Sequence, residues 1–179
     1  RLPWLVVLLG LGLVVSSVVG LFEPVVARLA IVVSFQSLIL DMSGNAGTQS
    51  LAVTIRVLMD ERVSRGQKRR LIRKEARVGL VNGLILGGLS TALVGAYLML
   101  FKRQAPGLAF SMSLCTGLAL LVSVLLSSLS GTVIPILFKG LKVDPAVASG
   151  PLITTVNDLI AVVSFYGLVW VLLIGVLRV

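Results

Sequence analysis

The sequence predicts an all-α membrane protein with five transmembrane helices, and three observations carry this prediction. The 179 residues are 57% hydrophobic and have a mean hydropathy of +1.08. Only 13% of the residues are charged, whereas a soluble domain carries about 25%. The charged residues cluster between long apolar runs, as loops do between the spans of a membrane protein. We therefore expect residues 1–179 to form one transmembrane domain.

Turn and cap residues set the limits of the five predicted spans. Pro3-Trp4 suits a helix start with an aromatic anchor at the membrane interface, and Glu23-Pro24 ends this first span. Asp144-Pro145 supplies a cap and a first helical residue for the last span. The predicted helices are residues 3–21, 25–58, 76–101, 107–138 and 145–177.

Small and hydroxyl residues predict how two of the spans pack. Spacings of four and eight residues place the third span's glycines on one helical face, which favours close helix packing. These glycines are Gly79, Gly83, Gly87 and Gly95. The hydroxyls of the fourth span, such as Ser127 and Ser130, are more typical of hydrogen bonds between helices than of a reactive site.

The second apolar stretch, residues 25–58, is too long for one straight crossing. It has about 34 residues, whereas a hydrocarbon core about 30 Å thick needs about 20. The polar and glycine-bearing segment Asp41–Ser50 lies inside it. Unpaired polar groups cannot face lipid, so we expect the helix to break here and to face protein or a water-filled cavity.

The distribution of Lys and Arg predicts the orientation. One side of the predicted membrane carries eleven of the sixteen basic residues and the other carries four, with Arg56 left inside the second span. Most of the excess falls in the loop between the second and third spans. By the positive-inside rule the N-terminus is cytoplasmic and the C-terminus extracytoplasmic. The net charge of +9 then favours anionic lipid, and no nucleic acid, as the partner.

The reactive residue types limit the chemistry. The chain has one cysteine, Cys115, and no histidine, which excludes an internal disulfide and a thiolate or imidazole zinc site. No nucleophile with its base is apparent, so we do not expect an enzyme. A metal handled here must be a hard ion that prefers oxygen ligands.

Asp158 is the strongest candidate for a cation ligand, because an ionisable group within a span is costly and usually functional. Thr154 lies one helical turn earlier on the same face and joins it as a candidate. The alternative is a carboxylate that is neutralised by Arg56 or held protonated. For Arg56 itself we favour a side chain that extends to the headgroups.

Asp41 has two equal interpretations: a second pore carboxylate, or a polar group at a helix end. A pair of aspartates within the membrane also suggests the hypothesis of an intramembrane aspartyl protease, in which the two carboxyl groups share one proton. The contexts Asp41-Met42 and Asn157-Asp158 do not match the motifs of that family. We therefore reject the protease.

Two motifs resemble the MgtE family of magnesium channels and transporters. They are Ser43–Ser50, with the sequence SGNAGTQS, and Asp144–Thr155, with the sequence DPAVASGPLITT. The Pro3-Trp4 start, the basic loop, the segment Gly79–Gly83 and the five-span count are also similar. The resemblance thus extends from end to end of the chain.

The resemblance implies a homodimer with a pore on the two-fold axis, lined by the second and fifth helices of both subunits. The pore carboxylate of the family maps onto Asp158, and its Gly-Asn-Ala-Gly-Thr segment maps onto Gly44, Asn45, Ala46, Gly47 and Thr48. Backbone carbonyls freed around these glycines would then bind the waters of a hydrated ion.

The chain departs from the family pattern at Ser37, Asp41 and Ser43, where proline, glycine and glycine are typical. We expect a less bent pore helix and one extra acidic residue per subunit. The family usually carries cytoplasmic magnesium-sensing domains ahead of the first span. Nothing in this chain corresponds to them, and its start without methionine favours a fragment.

The expected function is passive transport of Mg²⁺, as bound and transported ion, across the cell membrane. The alternatives are a cation-coupled Mg²⁺ exchanger and a membrane scaffold subunit that transports nothing. Uptake that requires an opposing Na⁺ gradient would distinguish the exchanger from passive transport. The buried Asp158 and the polar segment of the second span argue against the scaffold subunit, because helix packing needs neither feature.

Overall fold

Every element of the structure, a computed structural model, is helical within the described residues 2–28, 30–59, 63–142 and 144–176. Helix α1 (Leu2–Gly20) is followed by the short α2 (Glu23–Arg28) and a 3₁₀ turn (Ala30–Val32). The long helices are α3 (Val33–Leu58), α4 (Arg65–Leu100) and α5 (Pro106–Gly140). Helix α6 (Pro145–Leu168) continues as π-helical turns over Val169–Val176.

Helix α3 is continuous, so the predicted break at Asp41–Ser50 is wrong. The backbone N–H and C=O groups of this segment pair within the helix, which satisfies them as lipid requires. The excess length of the stretch is instead taken up at its start, where α2 and the 3₁₀ turn precede α3. The backbone carbonyls around Gly44 and Gly47 are therefore not freed from the helix, and a ligand role for these residues stays a prediction.

Helix α4 begins at Arg65, eleven residues before the predicted start at 76. Ser64 caps it: its Oγ accepts from the Gln67 N–H, and the Gln67 side chain accepts from the Ser64 N–H. Arg, Lys, Gln and Glu are good helix formers, so most of the predicted basic loop is helix. The basic residues indicate where the apolar span of α4 begins, but the helix itself already begins at Arg65, among them.

The other predicted limits agree with the structure to within about two residues where it describes them. Helices α1 and α5 replace the predicted 3–21 and 107–138, and α6 starts at the predicted Pro145. Residue 177, the predicted end of the last span, lies outside the described residues. The π-helical turns at 169–176 had no signal in the sequence.

Three helical stretches are long and apolar enough to cross a membrane: Arg65–Leu100, Pro106–Gly140 and Gly150–Leu172. The apolar stretch Leu5–Gly20 is shorter. Among the described residues, length and hydropathy thus support three of the five predicted spans.

Helix α5 is the central element and packs against α3, α4 and α6. The predicted glycine face of α4 is confirmed: a Cβ at Gly79, Gly83 or Gly87 would lie 2.6–2.9 Å from atoms of α5. Tyr166 Oη donates to Gln36 Oε1 over 2.6 Å, so the end of α6 lies beside the start of α3. Helices α3 and α6 are therefore antiparallel.

Replacing Gly87 with alanine should destabilise the fold, whereas the same change at the next residue should not. A Cβ at Gly87 would lie 2.6 Å from the Gly117 carbonyl oxygen, while one at Gly88 meets nothing within 4 Å. We expect Gly87→Ala to cost about 1–3 kcal/mol and Gly88→Ala to be neutral or slightly stabilising. Thermal unfolding in detergent measures both, and equal Tm values would contradict the α4–α5 contact.

Candidate pore-lining face

Helix α3 carries a polar stripe on its exposed side. Spacings of three, four and eight residues place its members on one helical face, and each is exposed. The stripe comprises Ser37, Asp41, Asn45, Thr48 and Arg56. Such a face on a helix otherwise rich in apolar residues is not suited to lipid.

Hydrogen bonds within α3 orient the side chains of the stripe. Asn45 Nδ2 donates to Asp41 Oδ1 over 3.2 Å. Thr48 Oγ1 lies 3.0 Å from the carbonyl oxygens of both Gly44 and Asn45, to which it donates. The Asn45 Oδ1, the second Asp41 oxygen and the lone pairs of Thr48 remain as outward-facing acceptors. On this face of α3 the structure presents side-chain oxygens, whereas the sequence predicted freed backbone carbonyls.

The opposite face of α3 is held by a buried polar cluster formed by Ser43, Ser127, Ser130 and Asn157. Ser43 Oγ lies 2.6 Å from Ser127 Oγ and 3.3 Å from the Asn157 carbonyl oxygen. Ser130 Oγ donates to Asn157 Oδ1 over 2.7 Å. The cluster confirms the predicted hydrogen bonds between helices for Ser127 and Ser130 and links α3, α5 and α6.

Asn157 is the residue that the sequence reasoning missed. It is 0% exposed, and its side chain lies against Gly47, where any Cβ would collide with the amide. Its Nδ2 has no hydrogen-bond partner. The signal available in the sequence was a second polar residue beside Asp158 within an apolar span, where an unsatisfied amide is costly.

Asp158 is half-buried and follows Asn157 directly. One residue advances a helix by about 1.5 Å, so Asp158 lies at the level of Ser43 and Gly47 on α3. Its partner candidate Thr154 is exposed one turn earlier, and its Oγ1 donates to the Gly150 carbonyl over 3.1 Å. The fold thus brings α6 at Asn157, and with it the adjoining Asp158, to the level of the segment 44–48, about 110 residues away in sequence.

The other predicted residues fall in different places. Ala46 is half-buried and packs against the hydrophobic core, and Gly47 is buried against Asn157. Gly44 is half-buried in open space, with nothing within 4 Å of a Cβ. Arg56 lies eleven residues beyond Asn45, about 16 Å along the helix, too far to neutralise Asp158 at that level. A ligand role for Ala46 and Gly47 stays a prediction, and packing is what their surroundings show.

The match to known proteins covers this same region. A family model described as MgtE, divalent cation transporter, matches residues 36–168, which run from the first turn of α3 to the end of α6 and include both motifs. This chain belongs to the MgtE family.

Curated MgtE relatives are similar over nearly the whole chain. The magnesium transporter MgtE of Bacillus subtilis is 35% identical over 168 residues, and that of Enterococcus faecalis is 38% identical over 168 residues. Each match covers 94% of this chain and 35% of the relative. The MgtE of Thermus thermophilus is 31% identical over 173 residues, covering 97% of this chain and 36% of the relative. The chain spans about a third of the length of these relatives.

No group of three or more carboxylate, thiol or imidazole side chains that could hold a metal ion occurs within the part of this MgtE chain that the structure describes. Asp41 and Asp158 are the carboxylates of this candidate face, and Asn45 and Thr48 add neutral oxygens. Mg²⁺ keeps several of its waters and uses one or two carboxylates. The donor set fits a hydrated ion better than a fully dehydrated one.

A second buried carboxylate lies behind α3. Glu75 of α4 is 4% exposed and accepts a hydrogen bond of 2.9 Å from Ser50 Oγ. The two residues border a cavity of about 220 Å³ that Asn82 and Ser128 also line. This hydrogen bond links α3 to α4 at the back of the polar stripe.

Glu75→Ala should destabilise the protein more than Glu75→Gln. Alanine leaves the buried Ser50 hydroxyl without its acceptor, which costs about 1–3 kcal/mol, whereas the glutamine amide oxygen still accepts. Thermal unfolding in detergent, with Mg²⁺ uptake measured in parallel, tests this. If the two variants unfold at the same temperature, the hydrogen bond is not what stabilises the α3–α4 contact.

Proposed function

We propose that this chain forms the ion pathway of a divalent-cation transporter and passes Mg²⁺ down its electrochemical gradient. The observation that carries the proposal is the exposed polar stripe of α3 at the level of the half-buried Asp158. The MgtE relatives are named magnesium transporters, which supports Mg²⁺ as the ion.

The proposed pathway lies between two copies of the chain. The stripe is exposed on a single copy, and lipid cannot solvate its amide and carboxylate groups. A second copy related by a two-fold axis would cover the stripe and enclose water between two identical faces. It would also bring two Asp158 carboxylates together, matching the two positive charges of the ion.

The proposed topology has five spans. Helix α1, with 19 residues, and helix α3, with 26, add to the three apolar helices. They are about 28 and 39 Å long, and the hydrocarbon core is about 30 Å thick. The basic start of α4 is placed in the cytoplasm, which puts the N-terminus there and the C-terminus outside.

The proposed mechanism follows from the chemistry of the donors. Asp41, Asn45, Thr48 and Asp158 offer oxygen acceptors to the waters around Mg²⁺, so the ion passes without shedding its inner shell. The membrane potential contributes about 2.3 kcal/mol per charge per 100 mV. Retained water lies between the ion and the Asp41 and Asp158 carboxylates, so the ion is bound weakly enough for release.

Uptake into liposomes tests the proposal. Purified protein is reconstituted with a Mg²⁺-sensitive dye inside, and an inside-negative potential is imposed with no Na⁺ present. We expect Mg²⁺ entry that grows with the potential and that Na⁺ does not accelerate. Entry that requires an opposing Na⁺ gradient would establish the exchanger, and no entry under either condition would favour the scaffold.

A further inference from the structure

A basic groove lies where the end of α3 meets the first turns of α4, apart from the polar stripe. Its volume is about 880 Å³. Four cationic side chains line it, and all four are exposed: Arg70, Arg73, Lys74 and Arg77. Val57 of α3 and Val78 of α4 form its apolar part.

The length of α4 places the groove at the membrane surface. Its 36 residues span about 54 Å, some 24 Å more than a hydrocarbon core about 30 Å thick. The charged part, from Arg65 to Arg77, accounts for about 20 Å of that excess. The step from Arg77 to Val78 therefore falls close to the edge of the apolar region.

An apolar strip continues directly from the groove along the same helix. Beyond Val78, α4 exposes large apolar side chains that include Val81, Leu84, Ile85 and Leu89. A ligand with a negative head and a long apolar tail would contact both surfaces at once. A soluble anion or an acidic peptide would contact the cations alone.

We propose that the groove binds an anionic phospholipid, with its phosphodiester on the guanidinium groups and an acyl chain along the α4 strip. Arginine binds phosphate oxygens through paired N–H donors. Within Arg65–Arg77 the one acidic residue is Glu75, which is buried and accepts a hydrogen bond from Ser50, so this part of α4 keeps a net positive charge. Lys and Arg side chains near the membrane surface attract anionic lipids. The site is separate from the polar stripe and from transport through it.

Lipid counting on the purified full chain tests the site. The protein is equilibrated in detergent with equal amounts of phosphatidylglycerol and phosphatidylcholine, and the retained lipids are counted by native mass spectrometry. We expect phosphatidylglycerol to be retained at least about tenfold over phosphatidylcholine. Changing Arg70, Arg73, Lys74 and Arg77 to Gln should abolish this preference.

A charge-matched control separates the groove from general attraction. Arg65, Arg69, Lys102 and Arg103 are also exposed and do not line the groove, so their change to Gln removes the same four charges. This variant should keep the preference, and an equal loss in both variants would overturn the site. Displacement of phosphatidylglycerol by glycerol 3-phosphate would show that a free phosphate suffices and would overturn the lipid as ligand.

The wild-type protein provides a second measurement in case the groove variant does not fold. A photoactivatable phosphatidylglycerol with its reactive group on the acyl chain near the headgroup is crosslinked, and the adducts are mapped by peptide mass spectrometry. Adducts within residues 78–89 are expected. Adducts spread over all exposed apolar helices would overturn the proposal.

Discussion

Asp158→Asn should reduce Mg²⁺ uptake into liposomes to background, a fall of at least about tenfold. A unit charge pair 4 Å apart is worth about 4 kcal/mol at an effective dielectric constant of 20, and a divalent ion doubles this. Water between the ion and the carboxylate weakens the attraction, but a factor of ten needs only about 1.4 kcal/mol. The amide keeps the shape of the side chain and removes its charge. Initial uptake rates at fixed potential give the measurement.

Asp144→Asn is the matched control for this loss. It is the same change on an exposed residue just before α6, away from the polar stripe. We expect uptake within about twofold of wild type. Equal thermal stability of both variants would show that Asp158→Asn loses transport and not folding. Wild-type uptake in Asp158→Asn would remove Asp158 from the ion pathway.

Gly47→Ala should destabilise the protein and impair transport together. The new Cβ collides with the side-chain amide of Asn157, which is fully buried and held by Ser130. Overpacking of this kind costs about 1–3 kcal/mol. The displaced Asn157 would also move Asp158, its neighbour on α6. Thermal unfolding and uptake on the same preparation measure both effects.

Two further variants identify the cause. Gly44→Ala, one turn earlier on α3, adds the same methyl where nothing lies within 4 Å, so stability should be unchanged. Asn157→Ala alone should also destabilise, because Ser130 loses its acceptor. In the double variant Gly47→Ala/Asn157→Ala, the new Cβ no longer collides with the amide. We expect the double variant to lose at least about 1 kcal/mol less unfolding free energy than the two single variants lose in sum. Strict additivity would show that Gly47 and Asn157 do not interact.

Much of the fold was predictable because the bilayer constrains the sequence so strongly. Apolar length and charge clusters located α1, α5 and the start of α6 to within about two residues. The glycine face of α4 was predictable because a spacing of four residues defines a helical face without knowledge of the partner. The family was predictable because the motifs Ser43–Ser50 and Asp144–Thr155 resemble those of MgtE proteins, and the family match confirms it.

Local chemistry was misleading at two places. The polar segment 41–50 looked like a helix break, yet side chains such as Thr48 bond to the helix's own carbonyls and the helix continues. The basic segment looked like a loop, yet the Ser64 cap starts α4 inside it. In both cases the polar residues indicate that a segment faces water or protein and not lipid. They do not determine the backbone conformation, which depends on whether the backbone hydrogen bonds are satisfied.

The sequence by itself determined that the protein is a helical membrane protein of the MgtE type, with Asp158 and the segment 44–48 as its polar candidates. Only the tertiary structure decided which side of α3 each of these residues occupies. Asp41, Asn45 and Thr48 are exposed, whereas Ser43 and Gly47 are buried against α5 and α6. It also revealed Asn157, which packs against Gly47 across 110 residues of sequence. The physical reason is that helical spacing defines faces, while the choice between a buried and an open face depends on the helices that pack against them.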